Sequence, residues 1–470
     1  MPPDLVAGSG AGAPRTSYRG GYLATPAIRR PPHVPGSKPV ETMPLIDMII
    51  ASLMVLAVIT TFTMSAAMLT DWKIHYLTTG GNFYEKIHPA TYFAFLALSL
   101  LLIRNGDPIG EINRIFSGAK IVLVYLFCWL CLLVQMLVLE RPFTFIIDTF
   151  LLPVLLCLVI WRLSPSQRKP MVWAIHLTIL INVILGYYEY FSGHRLIPLT
   201  LGDVVVLGEW RSSALLGHPL IASGLIGAYI LALILRPALC PPVIVRLPLI
   251  ALCLGSLMVF GGRTALVTVL LIIGFMVAME IFRILRGGRT SLPTAIAAIC
   301  LLFVVAAGIF AAFDLGIFDK MLLRFSSDKG STLARYATFD LLSHFDWREL
   351  VLGPNPVRVS ALQTQYGLNY GIEDFWISCI VQFGIIHTIL LTIGLIGLFA
   401  EILLRASNAA WAIVILIVIV AASSVSFSSK GIQLAQFIFL ITLLLPRERR
   451  IAASAGLESR GRRRPIAAYP

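Results

Sequence analysis

Charge is what this chain has least of. Only 13% of its 470 residues are Asp, Glu, Lys or Arg, against 58% hydrophobic, and the mean hydropathy is +0.86. A soluble domain of this length carries about twice that charge, so an ordinary water-soluble fold is excluded. Cysteine is equally uninformative as a framework. All seven (Cys128, Cys131, Cys157, Cys240, Cys253, Cys300, Cys379) fall inside apolar runs, so no disulfide scaffold is implied, and the C-x-x-C at 128–131 reads as two small apolar residues on one helix. The first 43 residues are rich in Pro, Gly and Arg without the apolar core of a signal peptide. No P-loop, no acidic D-x-D pair beside the long polar loop and no histidine pair at ligand spacing is present. The expectation is a chain with no cofactor, no metal and no nucleic-acid partner.

What is present is a succession of apolar runs of bilayer-crossing length. They lie near 44–69, 89–103, 118–138, 143–161, 171–192, 215–235, 244–260, 264–282, 292–313, 375–403, 409–427 and 431–446. The reading is an all-α polytopic membrane protein of about 12 transmembrane helices. The run at 89–103 is the shortest for its task. Residues 1–43 and 447–470 are expected to be disordered or basic cytoplasmic tails around a transmembrane domain at 44–446. Basic residues set the expected orientation. With both termini inside, every inner connection holds Lys or Arg: Arg104, Arg114, Lys120, Arg162, Arg168, Lys169, Arg236, Arg246, Arg283, Arg286, Arg289 and Arg405, together with the tails. The net charge of +13 is accounted for in the same way, with some attraction to anionic membrane lipid.

That orientation puts the one long polar interval, 314–373, outside. Within it SSDKGSTLARYATFDLLSHF reads as a short helix, capped within Asp328–Ser331 and apolar along Leu333, Tyr336, Ala337, Phe339 and Leu341; VLGPNP then breaks it. The interval lacks the length and apolar content for a sizeable core, and reads as a lid lying on the bilayer over a cavity between the spans. On the same side are Arg211 and His218 in GEWRSSALLGHPL, Arg263 in FGGRTAL, Arg324 and Arg335 in the loop, and Glu373 and Asp374 at the start of the tenth run. Outer arginines run against the charge gradient. A guanidinium keeps its charge when partly desolvated and binds phosphate oxygens with two parallel donors, so several converging arginines suit a diphosphate without a metal. Arg211, Arg263, Arg324 and Arg335 are the candidate phosphate ligands, with His218 beside them. A carboxylate, Glu373 or Asp374, suits a general base on a hydroxyl, with Asp340 a weaker candidate. The plainer alternatives are a snorkelling Arg263, solvated loop arginines, and carboxylates that simply cap a helix.

In order and side, these elements resemble the O-antigen ligase and Wzy-type polysaccharide polymerase superfamily, and within it the VpsF-like exopolysaccharide biosynthesis branch. The carriers are Arg211 followed by Gly217, His218 and Pro219; GGRT at 261–264; a late loop with Arg324 and Arg335; VLGPNP; and EDFWISCIVQFGII at 373–386. The resemblance covers roughly 200–446. It implies a GT-C-like glycosyltransferase of the bacterial inner membrane, working on the periplasmic side on an undecaprenyl-diphosphate-linked oligosaccharide. It also implies a flippase and a chain-length regulator as pathway partners. Ligases of the superfamily carry His-Asn where this chain has Glu373-Asp374, which favours the polymerase-like branch over transfer of finished glycan to a lipid or protein acceptor. Twelve runs also suit a transporter, but no pair of related six-span halves is visible and the charges sit at the membrane edge rather than at mid-depth.

Overall fold

The computed structural model describes residues 44–447 except 79, 199, 202–203, 206–209, 236–240, 290–291, 315, 317–330, 369–370 and 424–426; some positions, mostly in the two strands and the helices at 292–314 and 331–343, are described by backbone alone. The helices are α1 (Leu45–Thr63), α2 (Ala66–Asp71), α3 (Pro89–Ile103), α4 (Pro108–Gly118), α5 (Lys120–Val138), α6 (Thr144–Ile160, with a π turn at Ile147–Leu151), α7 (Pro165–Ser192), α8 (Pro219–Leu235), α9 (Val243–Phe260), α10 (Arg263–Leu285) and α11 (Leu292–Asp314). There follow α12 (Ser331–Ser343), α13 (Trp347–Leu352), α14 (Pro356–Gln365), α15 (Phe375–Phe383), α16 (Ile385–Arg405), α17 (Ala410–Ala421) and α18 (Gln433–Leu444). Two two-residue strands, β1 (Thr200–Leu201) and β2 (Val204–Val205), pair antiparallel.

Six of these helices (α1, α5, α7, α9, α10 and α16) are long and apolar enough to cross a membrane, and seven are if α3 and α4 form one broken span. The chain is therefore an all-α membrane protein. Helix α8 shows why the bundle holds together. From Ala222 to Leu233 every side chain is buried, as expected of a helix apolar on all faces. It packs against α9, α10 and α17, while α1 lies against α3 and α7, and α5 against α16.

The helix ends sort into two groups. At one, the basic end, Glu111 of α4 is fully buried and accepts hydrogen bonds from Arg162 (2.6 and 2.9 Å) and Arg114 (3.0 Å), while Arg104 reaches Asp47 at 3.1 Å. Arg405 bonds the Gly118 carbonyl and stacks on Trp161, and the Arg447 amide bonds the Arg405 carbonyl. Helix α4 turns 112° from α3 because Asp107 caps it and Pro108 occupies its first position. The opposite, loop end gathers the described residues of 64–88, 139–149, 193–218, 261–263, 353–354, 382–384 and 428–431, joined by bonds such as Lys430 Nζ to the Tyr76 carbonyl (2.9 Å) and Gln382 Nε2 to the Ser428 carbonyl (2.9 Å). Of the expected site residues, Arg211, His218 and Arg263 belong to these segments, whereas Asp374 caps α15 and Arg335 falls in α12.

One expectation about the polar interval changes in part. The helix expected there is present as α12, and Ala337 and Leu341 of its expected apolar side pack inward with Ala334, Thr338 and, beyond its end, Phe345, whereas Leu333, Tyr336 and Phe339 are exposed. Leu341, Phe345, Val359, Leu368 and Ile372 of the interval form a small cluster with Val381 of α15, and the Asp346–Glu349 capping box starts α13. The tenth apolar run, expected as one span over 375–403, is broken at Gly384 into α15 and α16.

Candidate functional site

One face of α7 builds the platform for Arg211. Asn182, Gly186 and Glu189 recur at helical spacing and reach the returning chain one after another. The Asn182 carbonyl oxygen accepts from the Leu215 amide (3.1 Å), and its NH2 donates to the Phe62 carbonyl (2.9 Å). The Gly186 carbonyl accepts from Ser212 Oγ (2.7 Å). The buried Glu189 carboxylate accepts three backbone amides, those of Leu196 (3.0 Å), Ser213 (2.9 Å) and Ala214 (2.9 Å). Ala214 stands at φ 48°, a conformation unfavourable for a side chain, and the Glu189 bond to its amide helps hold it there. Gly193 at φ 72° ends α7 and lets the chain turn back.

Arg211 then lies across the turn between α9 and α10. A Cβ on Gly261 would come within 2.8 Å of Arg211 Cγ and Cδ, so only glycine admits the arginine stem here, and φ 64° independently favours glycine. Arg263 opens α10 immediately after. A Cβ on Gly262 would meet Ser223 Oγ at 1.9 Å, so the first turns of α8 press against the same glycine pair. At the start of α8, His218 Nδ1 accepts the Leu220 amide at 3.2 Å, which places the proton of a neutral imidazole on Nε2. The Arg211 stem is thus laid over Gly261, two residues before Arg263, and the neighbouring Gly262 packs against Ser223 of α8. Arginine and a helix start are groups that favour an anion.

The remaining expected residues are placed differently. Asp374 caps α15, its Oδ1 accepting the Ile377 amide at 2.8 Å, with Glu373 just before it; α15 packs against α13 and α16. Arg324 lies outside the described residues, and Arg335 falls within α12 with its side chain outside them. Asp340 is exposed on α12. His344 ties the loop to itself: Nε2 meets the Tyr366 hydroxyl at 3.1 Å, and its carbonyl accepts from Arg358 (2.7 Å). His194 is exposed near the end of α7.

Three features escaped the sequence. Arg141, just past α5, donates to the carbonyls of Gln382 (2.5 Å), Gly353 (3.2 Å) and Pro354 (2.8 Å), and Gln135 donates to those of Leu352 (3.0 Å) and Phe383 (2.7 Å). These bonds seat the VLGPNP turn directly on the α15–α16 break. Asp148 is fully buried and accepts from the Tyr76 hydroxyl (2.9 Å), Thr91 Oγ1 (2.7 Å) and the His88 amide (3.1 Å). A lone carboxylate in an apolar run is the signal by which Asp148 could have been found. His88 caps α3 through Nδ1, which accepts the Ala90 amide (3.1 Å), and Nε2 donates to the Met64 carbonyl (2.7 Å); burial holds its imidazole down at about 4, with Lys430 adding to the shift against the opposing Met64 bond.

Among the described residues no group of three or more His, Cys, Asp or Glu is placed to hold a metal ion, and the described cysteines are all free. Comparison with protein families, curated proteins and solved structures finds no match to this chain.

Proposed function

We propose that this membrane protein is a polysaccharide polymerase, a glycosyltransferase that joins undecaprenyl-diphosphate-linked oligosaccharide repeats at the periplasmic face without a metal. The observation that supports it is the Arg211 stem laid over Gly261, two residues before Arg263, where Gly262 packs against Ser223 of α8. In this reading the two arginines hold the donor diphosphate, joined by Arg324 and Arg335 from the loop. Glu373 takes the proton of the acceptor hydroxyl as that oxygen bonds the anomeric carbon; the bond from that carbon to phosphate breaks, and lipid diphosphate leaves as the stabilised anion. The exposed apolar side of α12 (Leu333, Tyr336, Phe339) suits a loop resting on the bilayer surface while it covers the substrate.

The test is complementation of a deletion strain with Arg211→Ala, Arg263→Ala, Arg335→Ala and Glu373→Gln, each made at the wild-type level, followed by analysis of lipid-linked intermediates. Loss of each arginine is expected to lower turnover about 10- to 100-fold, the equivalent of one charge-assisted contact. Accumulated single repeats support polymerisation. Long polymer retained on the lipid carrier points instead to a ligase, and undiminished polymer in all four variants overturns the glycosyl-transfer reading.

A further inference from the structure

The basic end holds a second anion-seeking site. A cavity of about 130 Å³ is lined by Trp161, Arg168, Ile402, Arg405, Thr442 and Arg447, with Ala406 and Pro446 completing its wall. Three guanidinium groups border it and no carboxylate does. Arg405 is fixed in place: its Nε donates to Glu401 (2.9 Å), its Nη2 bonds the Gly118 carbonyl, and its plane stacks 4.2 Å over the Trp161 ring. Arg447 is exposed and donates to the Leu404 carbonyl at 3.2 Å. Arg168 is the unresolved one. Its single contact of note is a long 3.5 Å bond to the Trp161 carbonyl, and its Nε is buried without a hydrogen-bond partner. A charged donor buried without an acceptor is costly.

The cavity therefore offers one guanidinium of fixed position, Arg405, already paired with Glu401, beside two others that face no carboxylate, one of them with an orphaned N–H. Its volume equals that of about four waters, enough for a phosphate group and too small for a nucleotide or a sugar chain. It lies among helix ends beside Trp161, and in a membrane protein such ends and tryptophans sit near the level of the headgroup phosphates.

We propose that this cavity binds a phosphate group, held by Arg168 and Arg447 against the Arg405–Trp161 stack. The site is separate from Arg211 and Arg263, at the other end of the helices, and does not depend on the glycosyltransferase reading. The phosphate belongs either to an anionic lipid headgroup or to a free phosphate ion.

The experiment uses the full chain. Thermal melting in neutral detergent is followed against added sodium phosphate, with sodium chloride at matched ionic strength as the control. In parallel, melting is compared in nanodiscs of phosphatidylcholine alone and of phosphatidylcholine mixed equally with phosphatidylglycerol. A ligand that binds only the folded form raises the melting temperature saturably. Protection by phosphatidylglycerol alone identifies a headgroup site, protection by phosphate alone a site for the free ion, and protection by both a site open to either; each supports the proposal. Arg168→Gln and Arg447→Gln should each raise the half-saturating concentration about tenfold, with Arg168→Lys affected less. Arg447 is exposed, so its variant folds even if Arg168→Gln does not. The proposal is overturned if neither phosphate source protects beyond chloride, or if protection is unchanged in Arg447→Gln and Arg168→Lys alike.

Discussion

Replacing Gly384 with alanine should detach the loop from the α15–α16 break. Gly384 stands at φ 85°, ψ 163°, a region occupied almost only by glycine, where a side chain costs roughly 1–3 kcal/mol. The added Cβ would also lie 2.5 Å from the Gly353 amide nitrogen, 2.6 Å from the Leu352 carbonyl carbon and 2.6 Å from the Val351 oxygen. All three are backbone atoms, which cannot rotate aside. Moving that backbone breaks the bonds to Leu352, Gly353 and Pro354 from Gln135 and Arg141, each with a net contribution of about 1 kcal/mol. Together these put the local cost at about 3 kcal/mol or more, which is about a hundredfold in the opening equilibrium.

Hydrogen exchange reads that equilibrium directly at the amides of α13 and at Gly353, whose amide bonds the Glu349 carbonyl at 2.8 Å. Gly367→Ala is the internal control. Gly367 also has a positive φ, 68°, but its Cβ would meet nothing within 4 Å, so only the backbone cost of roughly 1–2 kcal/mol applies, and it stays local. Protection across 347–353 should collapse in Gly384→Ala and survive in Gly367→Ala. Equal protection in the two variants refutes the close-approach argument.

Three further outcomes are expected. His88 is held neutral down to about 4, whereas in the unfolded chain it takes a proton near 6.5. The unfolded form therefore binds more protons between these values, and stability falls as pH drops through that window, by about 3 kcal/mol in all. Melting curves for the wild type should be steeper against pH from 6.5 to 4 than those for His88→Gln, and identical slopes would dismiss the idea. Asp374→Ala removes the α15 cap and should cost about 1 kcal/mol in stability. Under the proposed glycosyl transfer, Glu373→Gln should instead leave the melting temperature alone while abolishing polymer; the reverse pattern would move the proposed base to another residue. Glu189→Ala strips three buried amides of their acceptor and should destabilise by at least about 3 kcal/mol. Glu189→Gln keeps part of the bonding and should fall between, and a Glu189→Ala protein as stable as the wild type would mean that the 193–216 segment is held otherwise.

The helical membrane class was legible because each apolar run carries its own signal, and no tertiary knowledge is needed to see it. The break at Gly384 was not legible, because it comes from Gly353 approaching from a distant segment; within its own run Gly384 is only a glycine in a helix. The face of α12 was misjudged in part for a related reason. Leu333, Tyr336 and Phe339 are its larger apolar residues, yet the helix packs through Ala334, Thr338 and Leu341, where smaller side chains allow close approach beside Phe345. Asn182, Asp148 and Glu189 are visible as polar residues in or beside apolar runs, but many of their partners are backbone amides. Side-chain patterns carry no trace of such partners.

The arginines show how far residue type alone can be pressed. Arg211 and Arg263, two of the four arginines that the sequence singles out, are joined at the loop end by Arg141 and Arg195. For two of them the fold supplies a sufficient reason: Arg141 fastens three carbonyls across the loop seam, and Arg195 Nη2 donates to the Arg211 carbonyl. The functional argument therefore cannot rest on the number of outer arginines. It rests on Arg211 being laid over a glycine that admits nothing larger, two residues from Arg263. At the basic end the same logic runs the other way. Arg104, Arg114 and Arg162 were counted only as markers of orientation, yet all three surround the buried Glu111. Arg168, counted alongside them, has no such carboxylate, and that difference in partner makes its cavity the place to look for an anion from outside.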